Sequence, residues 1–137
     1  MNIFAFGFGQ VSKYFIKKLA KEKNNFELNI SSRKDSHSGL FEGIKFNSYQ
    51  FDVKKIDNRI FEAILKADYI LISIPPIDGQ DIVIKNFKEA IKKTKTKWIT
   101  YLSATSVYGN HNGEWVNEKS KTKPTTINGV NRLKAED

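Results

Sequence analysis

The chain of 137 residues contains no cysteine, which excludes disulfide staples and thiolate metal sites. Its two histidines, His37 and His111, have no helical spacing and give no basis for a metal centre. No apolar run approaches the roughly 18 residues that span a bilayer. The apolar N-terminal stretch holds glycines and no cleavage-like site, so it does not read as a secretion signal. A soluble, cytoplasmic domain is the expectation these absences leave. Hydrophobic residues make up 39% and aromatics 12% of the chain, too many for low-complexity disorder. The length suits one domain, residues 1–137, able to bury about two thirds of its unfolded surface.

Arginine is also scarce. The formal charge of +8 comes from 20 lysines and 3 arginines against 15 acidic residues. Bidentate recognition of bases and phosphates favours arginine, and the lysines are spread over helix surfaces (Lys17, Lys18, Lys21; Lys85, Lys88, Lys92, Lys93) without interleaved aromatics. Solvated faces explain them at least as well as a nucleic-acid partner does.

What is present alternates between two periodicities. Residues 2–6 (NIFAF) form a short apolar run ending in glycines, as in a buried parallel strand. Residues 11–23 follow with helical spacing, placing Val11, Phe15, Ile16 and Leu19 on one face. Phe26, Leu28 and Ile30 alternate as a second strand, and residues 44–51 make a third, with Gly39 and Gly43 in the loop before it. A helix over 56–66, a strand over 68–74 stopped by Pro75-Pro76, a helix over 82–93 and a fifth strand over 98–103 complete the series. The pattern implies a doubly wound α/β domain with a parallel sheet of about five strands in the order 3-2-1-4-5.

Such sheets bind ligands at the carboxyl ends of their strands. The first end reads Gly7-Phe8-Gly9-Gln10-Val11-Ser12. Gly7 permits a tight turn, and Gly9 lets backbone approach a pyrophosphate at the positive end of the next helix. Ser12 stands where a dinucleotide fingerprint has its third glycine. No Gly-Lys-Ser/Thr follows, which disfavours a triphosphate P-loop. The second strand ends in Ser31-Ser32-Arg33-Lys34, without the carboxylate that would bind ribose hydroxyls and repel a 2′-phosphate. Ser32 and Arg33 therefore favour NADP over NAD, the competing reading being a basic solvated loop. Asp52 is either an acceptor for the adenine amino group or the cap of a helix over 53–66. Ser73-Ile74-Pro75 either passes beside the nucleotide or simply stops the fourth strand.

Gly7-Phe8-Gly9, Ser73-Ile74-Pro75-Pro76 and Tyr101-Leu102-Ser103-Ala104-Thr105-Ser106-Val107-Tyr108-Gly109 together resemble the extended or atypical short-chain dehydrogenase/reductase superfamily, in its NAD-dependent epimerase/dehydratase-like branch. Gly113-Glu114-Trp115-Val116-Asn117-Glu118, Pro124, and Gly129 followed by Arg132-Leu133-Lys134-Ala135-Glu136 continue the similarity across essentially the whole chain. The resemblance implies a Rossmann-type NAD(P)-binding fold, a dinucleotide cofactor and a small-molecule substrate. Enzymes of that superfamily pair hydride transfer with a proton-donating tyrosine, a lysine four residues later and a Ser/Thr that orients the substrate. Counting from the matching blocks, the Ser/Thr position falls on Ala104, flanked by Ser103 and Thr105, and the Tyr and Lys positions fall on Asn128 and Arg132. Arg132 retains donors for ribose hydroxyls, whereas a neutral amide at Asn128 does not shuttle protons near pH 7. No catalytic residue is assigned. Tyr108 reads as packing, and His111, Glu114 and Glu118 as loop residues.

Superfamily members are longer chains with further strands and a substrate-binding region. The sequence therefore reads as their N-terminal Rossmann portion, either a fragment or a minimal module. Residues 110–126 are long for a loop in a compact domain. The fifth strand would be a bare sheet edge unless a partner or a homodimer contact covers it. Two functions remain open: an NAD(P)-dependent oxidoreductase or epimerase-like protein, and a non-catalytic dinucleotide-binding sensor or scaffold.

Overall fold

The computed structural model describes residues 1–23 and 25–136. Asn24 lies outside them, as does Asp137, the last residue of the expected domain. The chain divides into two compact units, residues 1–74 with 86–102, and residues 75–85 with 103–137. Among the described residues no helix is long and apolar enough to cross a membrane.

The first unit is built on a sheet. Its strands are β1 (Asn2–Phe6), β2 (Glu27–Ser32), β3 (His37–Phe41), β4 (Ile44–Gln50), β5 (Tyr69–Ile72) and β6 (Trp98–Tyr101), in the spatial order β3-β4-β2-β1-β5-β6. The five strands expected from sequence are the parallel set β4-β2-β1-β5-β6, in the expected order. The addition is β3, which pairs antiparallel with β4 at the sheet edge. Gly39, expected in a loop, lies within it, where a Cβ would meet the Phe46 ring at 2.5 Å. Residues 33–43, which join β2 to β4, thus hold an extended strand and a turn where a longer crossover would hold a helix.

Helices α1 (Gln10–Glu22), α2 (Arg59–Leu65) and α3 (Ile82–Lys93) connect the strands, α3 entering the first unit at Asn86. Alternation along the strands separates two apolar layers. Ile3, Ala5, Leu28, Ile30 and Leu71 face α1, where they pack with Ile16. Phe4 and Phe6 face the other way, and Phe6 meets Phe51 and Phe87. The buried line of α1 is Ser12 and Ile16, not the expected stripe beginning at Val11. Val11 and Phe15 are exposed. The helix expected over 56–66 begins only at Arg59, because Ile56 is engaged in a bridge with Phe51.

The second unit holds a 3-10 turn at Thr105–Val107 and helix α4 (Ile127–Glu136), joined by residues 108–126 without a helix or strand. A Cβ on Gly129 would lie 2.4 Å from the Ser106 carbonyl, so the glycine lets α4 approach that turn.

Phe87 is fully buried, with its ring 5.3, 5.1 and 5.0 Å from those of Phe6, Phe51 and Phe61. Phe87→Ala is expected to cost about 3–5 kcal/mol. Urea denaturation checks this, and a loss below about 1 kcal/mol would contradict the assignment of the ring to the core.

Candidate functional site

Parallel register sets the carboxyl ends of the strands side by side. Phe6 lies opposite Ser31 and Ile72, Ser32 opposite Gln50, and Ile72 opposite Tyr101. The strand order reverses at β1, where the chain enters the glycine turn. Gly7 has φ +86°, and a Cβ there would come within 2.9 Å of the Ser73 hydroxyl and 3.1 Å of the Ile74 side chain. Glycine is required at this position by both backbone and packing.

Three buried or half-buried serines hold the turn. The Gly7 N–H donates to Ser31 Oγ at 3.1 Å. Ser73 Oγ donates to the Phe6 carbonyl at 2.9 Å and approaches that of Gly7 at 3.2 Å. A hydroxyl has one proton, so in the 2.9 Å contact between Ser12 and Ser73 the Ser12 hydroxyl is the donor. Ser12 thus replaces a packing glycine with a bond that ties α1 to the end of β5. Ser31 was not among the expected site residues. Its signal in the sequence is an inward hydroxyl one residue before the end of an apolar strand.

Gly9 is a different case. Its φ is −81°, and a Cβ would meet nothing within 4 Å. Among the described residues neither strain nor packing asks for glycine there, and the space beside it is open. Gly9 caps α1 without a side-chain hydrogen bond, and the first turn carries no acidic residue. The N–H groups of the first turn therefore face a region suited to an anion. Gln10 and Val11 occupy this turn and are exposed. Phe8 points elsewhere, packing against Phe41 and Phe46 with Lys13 over its ring.

At the end of β2, Ser32 Oγ is 3.1 Å from Ser48 Oγ and accepts the Lys34 N–H at 3.3 Å. Arg33 is exposed, and its carbonyl accepts from Gln50 Nε2 at 3.4 Å. Asp52 does not cap a helix over 53–66. Its Oδ1 accepts the N–H groups of Lys54 and Lys55 at 2.7 and 2.9 Å, closing a local turn. The start of α2 is instead served by Asp57, which sequence reasoning passed over. Asp57 accepts the Arg59 N–H at 3.0 Å, a fork from the Arg59 guanidinium and the Ser36 hydroxyl. The Arg59 hydrogen bond, with help from Ser36, holds its carboxyl well below the usual carboxylate range despite opposing desolvation.

Pro75 and Arg132 belong to the second unit, where Arg132 is 9% exposed. Asn128 is exposed near the start of α4. His111 Nε2 lies 3.1 Å from the Lys121 carbonyl, and the Glu114 N–H donates to the His111 carbonyl. Among the described residues no three His, Asp or Glu side chains gather as a metal site.

Solved structures share this fold. A functionally unknown conserved protein from Silicibacter pomeroyi matches 98% of the chain with a TM-score of 0.75 and 24% identity. UDP-glucuronic acid 4-epimerase from Bacillus cereus, solved with NAD, matches 99% with a TM-score of 0.74 and 19% identity. UDP-N-acetylglucosamine 4-epimerase from Methanobrevibacter ruminantium, solved with UDP-N-acetylmuramic acid, matches 96% with a TM-score of 0.67 and 14% identity. The chain spans 47%, 50% and 47% of those three chains, about half of each. At these identities the likeness establishes the Rossmann-type fold. No protein-family model matches the sequence, and no curated protein matches it.

The geometry separates the two glycines. Gly7→Ala is expected to destabilise the fold by about 1–3 kcal/mol, and Gly9→Ala by less than about 0.5 kcal/mol, as read from denaturant midpoints. Asp57 makes a pH-dependent contribution. Its lowered pKa means stability that is complete above the ordinary carboxyl value of 3.8 and lost as pH falls towards the folded value. Asp57→Asn should lower the melting temperature at neutral pH, and the difference from wild type should shrink below about pH 3. A constant difference down to acid would contradict this.

Proposed function

We propose that the chain binds a nicotinamide dinucleotide, with NADP preferred over NAD, and that it is a cytoplasmic relative of the extended short-chain dehydrogenase/reductases. The observation that carries the reading is Gly9, a glycine that the chain's own packing does not need, beside the uncapped start of α1. A pyrophosphate placed in that space would be held by the first-turn N–H groups of Gln10 and Val11. The fold shared with an NAD-containing epimerase supports the same cofactor class.

Within the first unit, Ser32 and Arg33 offer a hydroxyl and an exposed cation for a ribose 2′-phosphate. Two carboxylates near this end of the sheet are taken elsewhere, Asp57 by Arg59 and Asp35 by Lys55. The turn at Asp52 leaves its second carboxyl oxygen for the adenine amino group. Ser73 and Ile74 would pass their backbone beside the nucleotide, with Ser73 fixing the turn through Phe6 and Ser12. When bound, the nicotinamide supplies a hydride donor or acceptor. The UDP-sugars named for the neighbours make nucleotide sugars the first substrate class to test.

A second reading, a non-catalytic binding module, is favoured by Asn128. An amide at the position where the resemblance expects a tyrosine does not exchange a proton with substrate near neutral pH.

Calorimetric titration with NADPH, NADH and S-adenosylmethionine tests the proposal. NADPH should bind saturably and tighter than NADH, and Gly9→Asp should abolish binding while the protein stays folded. Binding of S-adenosylmethionine alone, or of none of the three by a folded protein, would overturn it. A substrate-dependent change in NADPH absorbance would exclude the non-catalytic reading.

A further inference from the structure

No helix joins β2 to β4, so the segment 33–36 at the carboxyl end of β2 has no helix to brace it. Arg33, Lys34 and Asp35 are exposed, and the segment turns inward only at Ser36. A cleft of about 310 Å³ lies there between Ser36, Gln50, Ile56 and Asp57. Apolar packing beneath the segment is therefore thin, and something else must hold it.

Hydrogen bonds do so. The Ser36 hydroxyl donates to the Asp57 carboxylate and accepts the Gln50 N–H at 2.9 Å. Gln50 closes the circuit, its Nε2 donating to the Arg33 carbonyl at 3.4 Å. Asp57 is itself fixed, by the Arg59 guanidinium that lies over the Tyr49 ring and by its own N–H, which donates to the Gln50 carbonyl at 2.9 Å. The segment is thus tied at both ends, to β4 and to the residues that start α2. A cationic side chain on a loose segment loses freedom when it grips an anion, and one on a fixed segment loses less. We infer that Ser36 is a positioning residue: by bridging Asp57 and Gln50 it holds Arg33 and Lys34 ready for a ribose 2′-phosphate, and so sets a preference for NADP over NAD. Ser36 has this role only if the dinucleotide reading above holds. NADP and NAD differ only in that phosphate. A residue that acts through it changes the ratio of the two affinities, whereas a general loosening of the fold weakens both alike.

Calorimetric titration of the wild type, Ser36→Ala and Ser36→Thr with NADPH and NADH reads that ratio. Ser36→Ala removes both bonds of the hydroxyl and should lower the NADPH preference at least about threefold. Ser36→Thr keeps a hydroxyl and should keep the preference. If Ser36→Ala does not fold by circular dichroism, Gln50→Met takes its place with the same fall expected, since it cuts the link to Arg33 and leaves the backbone donor to Ser36. A smaller fall, or an equal fall in Ser36→Thr, would overturn the positioning role and leave the cofactor reading standing. A folded wild-type chain that binds neither nucleotide, or binds NADH more tightly, would overturn the NADP reading and the role with it.

Discussion

Strand β1 is buried on both faces and sits where the strand order turns back on itself. That constraint places most of the first unit. Ile3 and Ala5 must be small or branched enough to seat Ile16 of α1, while Phe4 and Phe6 anchor the aromatic layer beneath Phe51 and Phe87. The strand ends in a turn whose backbone has left-handed geometry at Gly7, and Ser31 of β2 and Ser73, just after β5, hold it. The start of α1 is thereby positioned by the core. A displacement of β1 would move the glycine turn, and with it the first-turn N–H groups, so the candidate site inherits its precision from the sheet.

Much of this was legible in the sequence. The runs 2–6, 44–51 and 68–74 are apolar or alternating and flanked by breakers, and the parallel order follows from right-handed crossovers. Helix α3 coincides with residues 82–93 as read from its apolar spacing. Strand β3 was hidden because HSGLF has one glycine and two polar residues in five and draws its order from pairing with β4. A propensity reading does not detect order supplied by a neighbour. Val11 was misplaced because apolar character was taken as burial, whereas the small hydroxyl of Ser12 is what fits the close approach to β5.

The site shows the same division. Both glycines were visible as letters, yet only the structure distinguishes Gly7, which the turn demands, from Gly9, which leaves space open. Asp52 drew attention as the first acid after β4, but its oxygen closes a local turn. Asp57 carries the bonds that start α2, because the bridge between Phe51 and Ile56 delays the helix. The exposed side of α1 completes the picture. One end of that helix carries no side-chain cap and no acidic residue in its first turn, and its outer flank walls an apolar groove. A single element therefore borders two distinct surfaces, one at its uncapped start and one that is apolar.

The central claim is that the start of α1 beside Gly9 is a phosphate seat. It is tested most directly by following the backbone amide resonances of Gln10, Val11 and Ser12 by NMR while NADPH is added. The account predicts that these three amides shift together and saturably, with Ser32 and Arg33 following on the same binding curve. Shifts confined to other parts of the chain, with the α1 amides unmoved at saturation, would contradict it.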